Sequence, residues 1–308
     1  MQNKAISNKV LPGLDKSVEA ALALFMKTGL TTFQASSFKF PLVVGSGNAI
    51  NAGRIIFSSQ AAIFATESDL KTILISHQEL LKKKIIKEAV VISASGEKDS
   101  VWELVDLKKA GLKTTLLTCS ANSTAAKIAD KTFAFNKLPE PYTYNVSTYL
   151  GMIMASGDEK ADKIIAFLRK LVLPVNFHKH SAFTFILPDE FAAIAPMLEI
   201  KRHELFGPHL SLRAFTYGEA RHAKFVNLWD KELVISLGKN KYFGLSDHRF
   251  EINIPKTAGN GLVMALCYYL IGQIQNKKPQ YYKKNIGTYC KTGLQAYGQK
   301  GEFQVIVE

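Results

Sequence analysis

Two short loops carry the residue types that hold an anion. Ser93-Ala94-Ser95-Gly96 follows the apolar run Ala89-Val90-Val91-Ile92 and precedes a helical pattern with Val101, Leu104, Val105 and Leu107 on one face. Gly45-Ser46-Gly47-Asn48 follows the apolar Phe40–Val44 in the same manner. A strand running through a Ser/Gly loop into a helix leaves several backbone N–H groups aimed at one spot, where the helix dipole adds partial positive charge. A phosphate fits such a place, and the hydroxyls of Ser46, Ser93 and Ser95 can donate to its oxygens. Taken alone, each loop is as readily an ordinary strand-to-helix turn, so the surrounding elements have to decide.

Those elements alternate regularly. Residues 15–35 read as an amphipathic helix with Asp15 or Ser17 as its cap. Phe40–Val44 predicts a strand, followed by a helix over roughly 49–66; Lys71–Ser76 predicts a second strand, followed by a Lys-rich helix. Ala89–Ile92 is the third strand, with its helix running to about Ala110. Lys113–Thr118 is the fourth, with a helix over Ser123–Ala129, and Lys131–Phe135 is the fifth. A long helix is expected from about Val146 to Lys170, with a break near Gly157-Asp158, and Leu171–Ser181 reads as a linker. Beyond it come strands at Ala182–Leu187, Leu212–Thr216, Glu232–Leu237 and Phe250–Ile254, a helix over about 189–205, a turn or short helix at Glu219–Phe225, a closing helix at Ala258–Gln275 and a partly helical tail. Apolar strands alternating with helices predict a parallel sheet covered on both faces, which binds ligands at the C-terminal ends of its strands. Both Ser/Gly loops fall there, so one ligand shared between them is the expectation.

Composition narrows the partner. The 308 residues, 47% hydrophobic and 21% charged, suit two globular domains with substantial cores. No stretch approaches the ~20 apolar residues of a membrane helix, and the N-terminus carries no hydrophobic signal region. Cys119, Cys267 and Cys290 show neither metal-ligand spacing nor an even disulfide set, which fits a reducing cytoplasm. The net charge of +13, with clusters at Lys82-Lys83-Lys84 and between Lys277 and Lys284, suits anionic partners. No nucleic-acid-reading motif accompanies it, so a phosphorylated small molecule is favoured over nucleic acid.

The stretches VVGSGNAINAGRI and VVISASGEKDSVWELVDLKKAGLKTTLLTCSANSTAAKIAD resemble the sugar isomerase (SIS) domain, whose signature is a strand, a Gly-Ser/Thr turn and a downstream S-x-S-G-x-T loop. LPEPYTYNVSTYLGMIMA is similar to the segment opening the long helix of that family. The second half, through EIKRHELFGPHLSLRAFTYGEARHAKFVNLWDKELVISLG, resembles the second domain of the double-SIS group, which includes phosphoglucose/phosphomannose isomerases, the isomerase half of glucosamine-6-phosphate synthase and fructosamine-6-phosphate deglycases. The resemblance implies an α/β protein of two SIS domains, each a parallel sheet flanked by helices in flavodoxin-like fashion, the second reduced. Residues 1–38 would form an N-terminal helical segment, 39–177 the first domain, and 178–308 the second with its tail.

The same resemblance implies a phosphosugar aldose–ketose isomerase. Glu204 would move the carbon proton and His222 the ring-oxygen proton, both suited by their chemistry to reversible transfer. Lys291, with Lys284 as the alternative, would reach the site from the tail. Gly45, Ser46, Gly47, Asn48, Ser93, Ser95 and Gly96 would hold the phosphate, with Lys98 standing where the pattern has threonine. Glu140, Thr143 and Thr148 would approach sugar hydroxyls, although helix capping explains them equally. Ala223-Lys224 replaces the Gly-Pro of the pattern. His248, between Asp247 and Arg249, reads as part of an ordinary turn. A homodimer is implied, with His222 crossing to the partner's site, and neither metal nor organic cofactor. The residues do not separate an isomerase from a deglycase or from a non-catalytic phosphosugar sensor.

Overall fold

The computed structural model describes residues 11–308; the first ten residues of the 1–38 segment lie outside them. The helix α1 spans Leu14–Thr28, β1 Leu42–Gly45, α2 Asn48–Ile56, β2 Ile63–Ala65, α3 Leu70–Ser76 and α4 Gln78–Lys82. Then come β3 at Glu88–Ile92, α5 at Asp99–Lys109, β4 at Lys113–Thr118, α6 at Thr124–Ile128 and β5 at Lys131–Ala134. A two-residue β6, Glu140–Pro141, precedes α7 at Val146–Ala155 and α8 at Ala161–Arg169. The second half contains β7 at Ala182–Leu187, α9 at Ala195–Phe206, β8 at Ser211–Thr216 and α10 at Tyr217–Ala220. It continues with β9 at Glu232–Leu237, β10 at Arg249–Ile252, α11 at Asn260–Lys277, α12 at Tyr281–Thr292 and β11 at Ile306–Val307.

Two all-parallel sheets result, in the orders β2-β1-β3-β4-β5 and β10-β9-β7-β8. The first is the flavodoxin-like order. Strands β3, β4, β7 and β9 are buried almost throughout, as expected when helices cover both faces. One apolar cluster joins the halves, drawing Val43 and Ile92 from the first sheet, Phe183 and Ile235 from the second, and Leu22, Leu150 and Leu266 from helices. Helix α1 packs on α11, α7 and α8. Among the described residues, no helix is long and apolar enough to cross a membrane.

Two expectations need correction. Lys71–Ser76 is helical and not the second strand; that place belongs to Ile63–Ala65, and the preceding helix stops at Ile56 instead of reaching residue 66. The run KTILIS looks like a strand by composition, but only Leu70 of α3 is buried and Ile75 is exposed. Its start is fixed locally: Asp69 Oδ1 accepts from the N–H (2.6 Å) and hydroxyl (2.9 Å) of Thr66, and the Leu70 N–H donates to Thr66 O. Neither Asp15 nor Ser17 caps α1, whose N-cap is Gly13. Asp15 is buried and instead accepts from Gln273 and Asn276 of α11. The expected break in the long helix is present, between Ala155 and Ala161.

Candidate functional site

The order of the first sheet reverses between β1 and β3, so their C-terminal ends open the crevice in which such sheets bind ligands. Gly45 lies opposite Ile92 in the register, which brings the loop before α2 beside the loop before α5. The residues ahead of these helices adopt the same backbone, φ 56° and ψ −120° at Gly47 and φ 57° and ψ −121° at Lys98. This left-handed region favours glycine, and a non-glycine residue held there stores about 1–3 kcal/mol of strain. Gly96, at φ 64°, has no room for a side chain, because a Cβ would stand 2.1 Å from Ser123 Oγ.

The hydroxyls partly serve the loops themselves. Ser93 Oγ accepts from the Gly96 N–H at 3.1 Å and Ser95 Oγ from the Glu97 N–H at 3.3 Å. Across the crevice, Ser46 Oγ is 3.5 Å from Asp99 Oδ2, and Trp102 Nε1 donates to the other oxygen of Asp99 at 3.3 Å. Asp99 thus puts a carboxylate in the first turn of α5, where the dipole favours an anion. The Asn48 Oδ1 is buried and finds no partner among the described residues. The Lys98 ammonium lies over the rings of Phe303 (4.1 Å) and Tyr297 (4.7 Å) in the C-terminal tail, and burial lowers its pKa.

A second feature lies on α9. Glu204 lines a cavity of about 470 Å³ with Thr143, His209, Tyr281, Tyr282 and Tyr289. Its carboxylate accepts at 2.6 Å from Lys201 Nζ, a side chain with 0% exposure against 20% for Glu204. Lys201 also donates to Thr143 O at 2.6 Å and lies 5.5 Å from the Tyr268 ring. Burial pushes the Glu204 carboxyl above its ordinary value while the Lys201 ammonium pulls it down. A carboxylate so placed can accept a proton and return it.

The other expected residues divide. Thr143 stands at the Glu204 cavity in a left-handed conformation, φ 74°. Glu140 is buried and accepts from the Ser147 N–H at 2.8 Å at the start of α7, the capping role open to it from the start; burial raises its pKa. Thr148 is buried and accepts from Cys119 Sγ at 3.6 Å. His222 does not line the cavity of Glu204. It is exposed beyond α10 and borders a separate cavity of about 530 Å³ with Glu199, Glu219 and Lys224. Lys284 and Lys291 are exposed on α12 and line neither cavity. His248 is tied to His180, Nδ1 to Nε2 at 2.8 Å, and to Asp247 at 3.5 Å.

The lysine that meets Glu204 is therefore Lys201, which sequence reasoning passed over. Its signal was present: Met197, Leu198, Lys201 and Leu205 share the buried face of α9, so a lysine sits where the helical period calls for an apolar residue. Asp99, Tyr297 and Phe303 were also missed. The last two come from a distant part of the chain and carried no local pattern.

The sequence matches no family model and no curated protein. Solved structures do match. The C-terminal domain of glucosamine-fructose-6-phosphate aminotransferase from Francisella tularensis superposes with a TM-score of 0.58 at 13% identity, covering 86% of this chain and 93% of that one. Glucosamine-6-phosphate deaminase from Thermotoga maritima gives 0.57 at 14%, covering 86% and 92%. Tagatose-6-phosphate ketose/aldose isomerase from Escherichia coli gives 0.54 at 14%, covering 85% and 90%. The chain has the SIS fold. Within this SIS fold the crevice between β1 and β3 and the Glu204 cavity are linked through the tail: Phe303, under Lys98, stacks on Tyr142 at 4.6 Å, and Tyr142 lies 6.0 Å from Tyr289 of the cavity.

Proposed function

We propose that the protein binds a sugar phosphate or a phosphorylated sugar derivative and interconverts its aldose and ketose forms. The phosphate is held between the Ser46 and Ser93–Gly96 loops, and Glu204 moves the proton between C1 and C2. The observation that carries this reading is the Lys201–Glu204 pair in the cavity wall. A buried cation 2.6 Å from the carboxylate favours its charged, proton-accepting form and offsets part of the rise that burial causes. Lys201 acts here as the residue that positions and charges the base.

His222 completes the reaction from a second copy of the chain. It is exposed in one copy, and its loop continues into exposed Val226, Leu228 and Trp229, an apolar run suited to burial in a homodimer. In this reading residues 39–177 and 178–308 act as two domains, one for the phosphate and one for the base. Transfer of C2 deuterium from solvent into a bound hexose 6-phosphate tests the function, with Glu204→Gln as the control that abolishes it.

A second reading has its own observation. Lys98 faces aromatic rings and Asp99 sets a negative charge beside Ser46, which favours a sensor that binds a phosphosugar without turnover. Tight binding with no exchange would select it.

A further inference from the structure

The end of the first sheet opposite the crevice, at the N-termini of its strands, has a chemistry of its own. Lys39 lies just ahead of β1, Lys87 just ahead of β3, and Lys113 begins β4. These three strands are neighbours, with Leu42 opposite Ala89 and Glu88 opposite Lys113. At ~4.8 Å per strand, their lysines span about 10 Å. Together with Lys84, Phe40 and Ile85 they line a cavity of about 370 Å³, within the roughly 300–1,000 Å³ of small-molecule sites. Glu88 is the one acidic residue in the wall. Among the described residues, none of the four lysines forms an ion pair, so the wall carries four cations against the single carboxylate of Glu88.

Lys84 adds an independent observation. The N–H of Lys84 bonds to Leu81 O at 3.0 Å and that of Ile85 to Leu80 O at 2.9 Å. This is the pattern that ends a helix on a left-handed residue, a position that glycine fills without strain. Here Lys84 fills it at φ 53°, so a fourth cation stands at the cavity in a conformation that disfavours it.

We propose that this cavity is a second anion site and binds a small polyphosphorylated molecule. The lysines line one concavity rather than a long stripe, which suits a compact polyphosphate better than a nucleic-acid backbone. Phe40 and Ile85 offer an apolar wall to whatever the phosphates carry. The inference stands apart from the reading of the β1–β3 crevice.

Calorimetric titration of the intact chain with inorganic tripolyphosphate at low ionic strength tests it. Binding is expected, weakened at least about tenfold by the double variant Lys87→Glu/Lys113→Glu and left unchanged by Ser46→Ala and Ser95→Ala. Lys84→Gly is expected to weaken binding while leaving the melting temperature equal or higher, because glycine relieves the left-handed backbone. ATP binding with the same lysine dependence would support the proposal equally. Absence of tripolyphosphate binding would overturn it, as would binding indifferent to these lysines or lost equally in the serine variants. Tighter binding of an oligonucleotide than of tripolyphosphate through the same lysines would overturn it in favour of nucleic acid.

Discussion

The Lys98 ammonium sits 4.1 Å from the centre of the Phe303 ring, so the residue that ends the Ser93–Gly96 loop is clasped by the C-terminal tail. Residues more than 200 positions apart in sequence meet there because β11 pairs antiparallel with β6 and the Tyr142 N–H donates to Val305 O. Ammonium–ring contacts of this kind contribute about 0.5–2 kcal/mol. Phe303→Leu keeps apolar volume but removes the ring, and is expected to destabilise the protein by about that amount. Hydrogen exchange at the Tyr142 N–H should accelerate in the variant. Unchanged protection there would show that the clasp does not hold the tail.

Asp99 bears on ligand affinity. Its carboxylate lies 3.5 Å from Ser46 Oγ and repels any dianion placed between the two loops. Asp99→Asn removes the charge and keeps one acceptor oxygen for Trp102 Nε1, while the amide NH2 can donate to Ser46 Oγ. Fructose 6-phosphate is expected to bind the variant roughly tenfold tighter, measured by calorimetry.

Glu103 makes stability depend on pH. It is 1% exposed, one of its oxygens finds no partner among the described residues, and burial pushes its pKa from 4.5 to about 8. Between those values the folded state holds a proton that the unfolded state has released. Its contribution to stability is therefore full below pH 4.5 and is lost as pH rises toward about 8. Glu103→Gln should flatten this slope in thermal unfolding followed across that window, with the largest gain in stability at the alkaline end.

In the proposed reaction Lys201 sets the working range of Glu204. Removing one member of a buried ion pair leaves the other uncompensated, at about 3–5 kcal/mol. Lys201→Met is expected to destabilise the protein by that order and to shift the acid limb of the pH–rate profile upward, since Glu204 then holds its proton to higher pH. A loss of stability with an unmoved profile would assign Lys201 to packing alone.

Legibility in the sequence followed how local the signal was. Strands β4, β7 and β9 were read with their observed bounds, because each is a six-residue run rich in β-branched, aromatic or aliphatic residues. Helix α3 was misread because Thr66 and Asp69 fix its start through a side-chain contact that composition does not express. At the site, Glu204 and the serine loops could be named from spacing and resemblance. The turning of Lys98 toward Phe303 depends on tail packing, and the separation of His222 from Glu204 depends on how the segment after β8 leaves the sheet. No pattern within a few residues encodes either.

The proposed isomerase chemistry is tested most directly by nuclear magnetic resonance of fructose 6-phosphate and glucose 6-phosphate incubated with the protein in deuterated water. The account predicts deuterium at C2 of the aldose and at C1 of the ketose, abolished in Glu204→Gln while binding persists. A sugar phosphate that binds at the Ser46 and Ser95 loops yet acquires no deuterium, or acquires it equally in Glu204→Gln, would contradict it.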